Sequence, residues 1–369
     1  MTESENGRED AASSASEKLH EAMIDYVRAS RDASPDVDRP AGFTSYGGTT
    51  PVTVAVISGG TLHERDVSLR SGSRLAHALR LAGAQVRQID MSPDLITRLR
   101  RCTPDVVWPM IHGVEGEDGS LQDLLELCGW GYVGTEPAGC RIATAKPVAK
   151  AVVAKNGLAT PNAVALPQSV FKRLGAATIL EQVEESMGFP VIVKPANGGS
   201  ALGLSLARDA ESLRMAMVDA FAYGEQVVIE RFVEGREIAV SIVEDEDGPR
   251  ALPPVEIRTD EGTYDYDARY DTGRTEFFAP APLSAEQHTA VTELALSCHR
   301  VLELRDYSRI DVILDADDNA WFIDANVTPG MTDTSLFPLA AEADSSFTTL
   351  VAGLVQRALA RTQDAGGHS

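Results

Sequence analysis

The sequence predicts a mixed α/β chain that opens, after a polar arm, on an open parallel sheet. Three observations carry this. From Val52 onward short apolar runs alternate with helix-period segments: Val52–Ile57 and Gln85–Ile89 read as strands around an amphipathic helix over 67–82, and Asp105–Met110 as a third strand. Such a succession makes βαβ units and a parallel sheet. Further on, the strand Val191–Lys194 runs into a loop of small residues, Pro195–Gly203. Near the end, the apolar runs Ser308–Leu314 and Asn319–Ile323 flank the acidic turn Asp315–Asp318, the pattern of a β-hairpin.

Length and charge narrow the function classes. At 369 residues the chain can build two or three domains around proper cores. A net charge of −22 argues against nucleic acid or an anionic membrane as partner, because either would repel it. An anionic substrate would need local positive charge. The four cysteines, Cys102, Cys128, Cys140 and Cys298, lie far apart and suggest neither a zinc site nor a disulfide framework. No apolar run is long enough for a membrane span, and the acidic start is unlike a secretion signal, so the chain is expected to be cytoplasmic.

Taken in order, residues 1–50 read as a disordered or partly helical acidic extension, with Leu19, Met23 and Tyr26 or Val27 on one side of a short helix over 17–30. Residues 51–134 form the N-terminal α/β segment. Ligands bind at loops leaving the carboxyl ends of parallel strands. Two loops qualify: Gly59–Asp66, with His63, Glu64 and Arg65, and Ile111–Ser120, with His112. Residues 135–230 form a central segment: helices over 147–156 and 176–187, a strand at Val164–Leu166, and the strand ending at Lys194. Its small-residue loop lets backbone N–H groups approach phosphate oxygens while Lys194 supplies charge, although a glycine turn of no function is the plain alternative. No GK[ST] follows, so it is not a Walker A loop. The strand Val227–Ile229 ends at Glu230, which could accept from an adenine amino group or simply face solvent. Residues 231–369 hold further strands, a helix over 285–302, the hairpin and a terminal helix over 345–362. The stretch Glu261–Thr275, with three tyrosines and no clean periodicity, suits a lid.

The hairpin carries the chemistry. Side chains two apart on a strand point the same way, so Asp324 and Asn326 share a face, and Asp311 on the partner strand can share it too. Two carboxylates and an amide oxygen suit Mg²⁺, which keeps its other positions for water and phosphate. Arg309, two residues from Asp311, adds a rigid positive fork. A solvated hairpin with scattered acids is the competing reading for any one of these residues, and their convergence tips the balance.

The motifs GGTLHERDVSLRSG, HGVEGEDGSLQ, VKPANGGSALGLS, VIERFVEGREIAV, YDYDARY, SRIDVIL and DANVTPGMTDTSLFP complete the reading. From Pro51 to the terminal helix their order and spacing resemble the D-alanine–D-alanine ligases, which are ATP-grasp enzymes. The resemblance implies a three-domain ATP-grasp fold and a reaction in two steps. The γ-phosphate of ATP passes to the first amino acid's carboxylate, and the second amino acid's amine then attacks the acyl phosphate. It implies two Mg²⁺ ions (Mn²⁺ as a substitute) on Asp311, Asp324 and Asn326, and Arg309 with the Gly330 N–H at the tetrahedral transition state. Lys146, Lys194 and the lid residue Arg269 would meet phosphate oxygens, and Glu230, Arg231, Val233 and Glu237 would surround adenosine. Glu64, Ser200 and Tyr270 match a hydrogen-bonded trio that positions the first amino acid. Ser335 would hold the second substrate's carboxylate, and His112 would lie near the substrates. A homodimer and a place in peptidoglycan precursor synthesis are the family expectation. In so acidic a chain, Lys146, Lys194, Arg269 and Arg309 are expected to draw in ATP.

Some positions depart from the family pattern. Asp324 stands where a glutamate is usual, Arg269 where a lysine is usual, Asn197-Gly198 where an Arg-Glu pair is usual and Ala201 where a serine is usual. These leave open a specialised ligase joining other amino acids, in secondary metabolism or antibiotic resistance, and a non-catalytic nucleotide-binding relative. Tyr270 argues against a depsipeptide-forming relative.

Overall fold

The computed structural model describes residues 51–61, 63–198, 202–259 and 275–366. The arm over 1–50 and the stretch 260–274, with Arg269 and Tyr270, lie outside the described residues, as does Ser200.

The parallel sheet is present. β1 (Thr53–Ser58) lies between β2 (Gln85–Asp90) and β3 (Val106–Pro109), both parallel to it. Its alternate residues feed two cores: Val54 and Val56 pack with Leu75, Leu79 and Trp108 on one face, and Ala55 and Ile57 with Ile89, Leu99 and Ile111 on the other. The first described helix, α1 (Arg65–Leu81), buries Ser68, Ser71, Gly72, Leu75, Ala76, Ala78 and Leu79, the stripe expected of a helix lying on a sheet. Gly72 permits the approach, since a Cβ there would sit 2.6 Å from the Ser58 Cβ. The helices α2 (Leu95–Cys102), α3 (Val114–Glu117) and α4 (Ser120–Leu127) complete this part.

Next come α5 (Pro137–Thr144), α6 (Lys146–Lys155), β4 (Ala163–Pro167), α7 (Gln168–Leu174), α8 (Ala176–Met187), β5 (Val191–Pro195), β6 (Ser205–Ala207), α9 (Ala210–Phe221) and β7 (Gln226–Arg231). The strands form an antiparallel sheet in the order β4-β7-β5-β6. Val191, Val193, Val227 and Ile229 meet Leu213, Ala216 and Met217 of α9 beneath it. Cys140, Ala143, Ala149 and Val153 of α5 and α6 pack instead among Val240, Ile310, Val312 and Phe322, in the core of the last sheet.

That sheet is built from β8 (Gly235–Asp245), β9 (Gly248–Ala251), β10 (Val255–Thr259), β11 (Thr275–Phe278), β12 (Tyr307–Asp315) and β13 (Ala320–Asn326). The order is β11-β10-β8-β12-β13, with β9 also on β8. Helix α10 (Ala285–Val301) begins at a capping box of Ser284 and Gln287, and α11 (Leu336–Asp344) and α12 (Phe347–Gly366) close the chain. The hairpin differs from its sequence reading at both ends. β12 runs through Asp315, whose carboxylate accepts from the N–H of Asp317 and Asn319, so the turn starts one residue later. β13 continues past Ile323 to Asn326 because β12 supplies ladder partners, Arg309 opposite Asn326 and Asp311 opposite Asp324. A bulge follows between Asp311 and Val312, where Val312 pairs Phe322. Bulges re-aim side chains beside functional sites.

Candidate active site

A cleft of about 410 Å³ opens between the four-stranded sheet and the last sheet. It is lined from one side by Lys194, Asn197, Gly198, Glu230, Arg231 and Val233, and from the other by Glu237, Asp311, Asp324 and Asn326, with Lys146 between. The bulged hairpin does what the sequence requires of it: both carboxylates and the amide face one space.

Asp311, Asp324 and Glu230 in this cleft each have a positive partner. The Arg309 guanidinium grips Asp311 with both prongs, at 2.6 and 2.8 Å, and Asn326 donates its Nδ2–H to the same carboxylate at 3.1 Å. Lys146 reaches the Asp324 Oδ2 at 2.5 Å. Burial pushes Asp324 up, but Lys146 and Lys194 outweigh it and hold the carboxyl below its usual range. Glu230 lies between two lysines, 2.6 Å from Lys194 and 2.8 Å from Lys150. Here too burial opposes ionisation and the lysines overcome it, so the carboxyl sits below its usual value. Lys146, Lys194 and Arg309 are thus all paired with carboxylates in this structure. Low dielectric is the reason, because a buried charge without a counterion is costly.

A second cluster forms where the loop at 111–117 meets the turn at 328–335. The Glu64 carboxylate rests against Gly113, where a Cβ would come within 2.3 Å of Oε2; Gly113 also takes a positive φ of 79°. His112 is buried, with Nδ1 3.0 Å from the Thr328 carbonyl and Nε2 3.0 Å from the Ser71 hydroxyl. A carbonyl can only accept, so Nδ1 carries the proton, Nε2 accepts from Ser71, and the Ser71 oxygen accepts the Met331 N–H at 3.1 Å. Burial pushes the His112 ring down to about 4, so it is neutral at pH 7 and serves as a brace. Glu117, 3.9 Å from that ring, is pushed up to about 8 by burial and by the Glu64 charge. Ser335 holds the turn from within: its hydroxyl accepts the Thr332 N–H at 3.0 Å, and Gly330 leaves room for it.

Among the described residues, then, the candidates divide into two groups. Lys146, Lys194, Glu230, Arg231, Val233, Glu237, Asp311, Asp324 and Asn326 line the cleft, with Arg309 gripping Asp311. Glu64, His112, Gly330 and Ser335 make the second cluster. Sequence reasoning missed Lys150, Glu117, Ser71 and Arg74. Lys150 had a readable signal, being one helical turn after Lys146. Glu117 had none, because its chemistry comes from burial.

A four-stranded and a larger, six-stranded antiparallel sheet closing on a cleft of paired lysines and carboxylates define an ATP-grasp ligase. Comparison with known proteins agrees. The family model described as D-ala D-ala ligase C-terminus matches residues 152–356. A D-alanine–D-alanine ligase of Bordetella petrii is 34% identical over 317 residues, 86% of this chain and 95% of the relative. The crystal structure of the D-alanine–D-alanine ligase from Bacillus anthracis superposes with a TM-score of 0.72 at 27% identity, covering 85% of this chain and 99% of that one. The same enzyme complexed with ATP gives 0.71 at 26%, with the same coverage. The chain belongs to the D-alanine–D-alanine ligase family and is an ATP-dependent ligase.

Proposed function

We propose that the chain joins two molecules of D-alanine into the dipeptide through an acyl phosphate, turning ATP into ADP and phosphate, for peptidoglycan precursor synthesis in the cytoplasm. The observation that carries this reading is the convergence of Asp311, Asp324, Asn326, Lys146 and Lys194 on one cleft. In the proposed division, an N-terminal lobe over 51–134 serves the amino acids, and lobes over 135–230 and 231–369 grip the nucleotide. A homodimer is the assembly proposed from the family.

The donor set fits Mg²⁺. Asp324 is held ionised, Asp311 presents two oxygens, and half a turn of the Asn326 amide replaces its N–H₂ with its oxygen. Hard oxygen donors of this kind suit Mg²⁺, which neutralises phosphate charge when bound. Among the described residues no group of three or more His, Cys, Asp or Glu side chains could hold a metal ion, and the Asn326 amide is the third protein donor in this reading.

The remaining residues bind and orient. Lys146 and Lys194 exchange their carboxylate partners for phosphate oxygens, and Glu230 with the 231–233 backbone takes the adenosine. Arg309 and the Gly330 N–H stabilise the oxyanion of the tetrahedral transition state, each such donor contributing about 3 kcal/mol. Glu64 orients the first amino acid and Ser335 the carboxylate of the second. Ser200, Arg269 and Tyr270 are assigned on the resemblance alone. Holding the reacting groups in place and neutralising their charge together supply the rate. The test is phosphate release from ATP and Mg²⁺ with each single amino acid, D and L, followed by mass spectrometry of the product. Turnover with D-alanine alone, giving its dipeptide, supports the proposal, whereas silence with D-alanine and turnover with another amino acid overturns the substrate and makes this a specialised ligase.

A further inference from the structure

Helix α1 contributes a side chain that no part of the nucleotide cleft requires. Arg74 lies one turn after Ser71, so the two occupy one face of the helix. Ser71 takes the Met331 N–H. Arg74 donates from Nη1 to the Thr332 carbonyl at 2.9 Å. The two contacts fix consecutive residues of the turn that carries Gly330 and Ser335.

The rest of the Arg74 environment holds the guanidinium in place. It stacks 5.0 Å over the Phe347 ring, and pairs with Asp333 at 2.9 Å and Glu342 at 3.9 Å. The Asp333 side chain is 95% exposed, so that ion pair is screened and contributes little. The contact to the partly buried Thr332 carbonyl is the one that positions. Thr332 in turn holds Ser335: its N–H donates to the Ser335 hydroxyl at 3.0 Å, and its own hydroxyl lies 2.8 Å from the same oxygen. A chain of direct contacts thus runs from Arg74 through Thr332 to Ser335.

We propose that Arg74 is a positioning residue for the second amino acid: it sets the Thr332 peptide, and through it the Ser335 hydroxyl, at the carboxylate subsite. This rests on the assignment of Ser335 given above. Among the described residues the contacts of Arg74 include neither the cleft lining nor Glu64, so its loss is expected to act on one subsite.

The test is initial-rate kinetics of Arg74→Ala, Arg74→Lys and Ser335→Ala, resolving a Michaelis constant for each amino-acid site and for ATP, with thermal melting of each variant. In Arg74→Ala the second-site constant is expected to rise about tenfold, the scale of one lost charge-assisted hydrogen bond, with the first-site and ATP constants unchanged. Arg74→Lys, which keeps one donor, is expected to restore part of the loss. An unchanged second-site constant in Arg74→Ala, or a rise in all three constants with a fall in kcat and melting temperature, overturns the inference. Ser335→Ala separates the two claims: a weakened second site there with none in Arg74→Ala sinks the positioning role alone. An unaffected Ser335→Ala sinks the Ser335 assignment, and Arg74 is then judged on its own second-site constant.

Discussion

Lys150 and Glu230 meet at 2.8 Å with 6% and 4% of their side chains exposed, while Lys194 takes the other carboxylate oxygen at 2.6 Å. On the role proposed for Lys194, this arrangement would leave Glu230 one partner when Lys194 turns to a nucleotide. Burial pulls Lys150 down to about 8, and the Glu230 charge opposes that fall. Removing one member of a buried ion pair costs about 3–5 kcal/mol. Lys150→Met is therefore expected to lower the melting temperature and to raise the KM for ATP at least about tenfold, with little change in either amino-acid constant. Thermal melting and initial rates against ATP check this, and an unchanged ATP constant would show that Glu230 needs no second lysine.

Asp311 anchors the carboxylate side of the cleft and is gripped by Arg309. Asp311→Asn keeps the shape and removes the charge. It is expected to abolish phosphate release while circular dichroism remains that of the parent. Normal turnover in this variant would remove Asp311 from the metal set.

Glu117 makes stability depend on pH in a direction unusual for a carboxylate. Its folded value of about 8 lies above the ordinary 4.5, so between these the folded chain holds a proton that the unfolded chain has released. The stabilisation is complete below about 4.5 and is lost as pH rises through about 8. His112, lowered to about 4, acts in the opposite sense, its contribution being lost as pH falls below 6.5. Above pH 6.5 the His112 contribution is complete and Lys150 titrates alike in both chains, so the melting temperature of the parent should fall between pH 6.5 and 8 more steeply than that of Glu117→Gln. Parallel curves would mean that Glu117 is ionised at neutral pH.

Residues 1–45 carry none of the candidate side chains. Their deletion is expected to leave kcat and both amino-acid constants nearly intact in the phosphate-release assay. A large loss would place part of the arm in the reaction.

How much was legible follows from the range of each signal. The parallel sheet around Val54 and Ile57 was readable because burial of strands is written locally, in apolar runs. Asp311, Asp324 and Asn326 were readable because strand period puts them on one side, and the bulge at Asp311 preserves that alignment. Helix α9 was missed: its buried face is small, with Ala216, Met217 and Ala220 beside Leu213, and exposed Met215 and Val218 blur the period. The partnership of Arg74 with Thr332 spans 258 residues of sequence, a separation no local pattern reports. The same holds for Ser71 and Met331.

The pairing of Lys146, Lys194 and Arg309 with Asp324, Glu230 and Asp311 has a consequence for selectivity. On the proposed roles of the two lysines, entry of a nucleotide is an exchange reaction, in which the triphosphate displaces resident carboxylates. A simple anion such as sulfate competes for one lysine at a time and regains too little to win that exchange. A ligand that contacts several cations together recovers more than it displaces. On that reading the cleft would discriminate by valence and reach, and common anions in its surroundings are expected to be poor inhibitors.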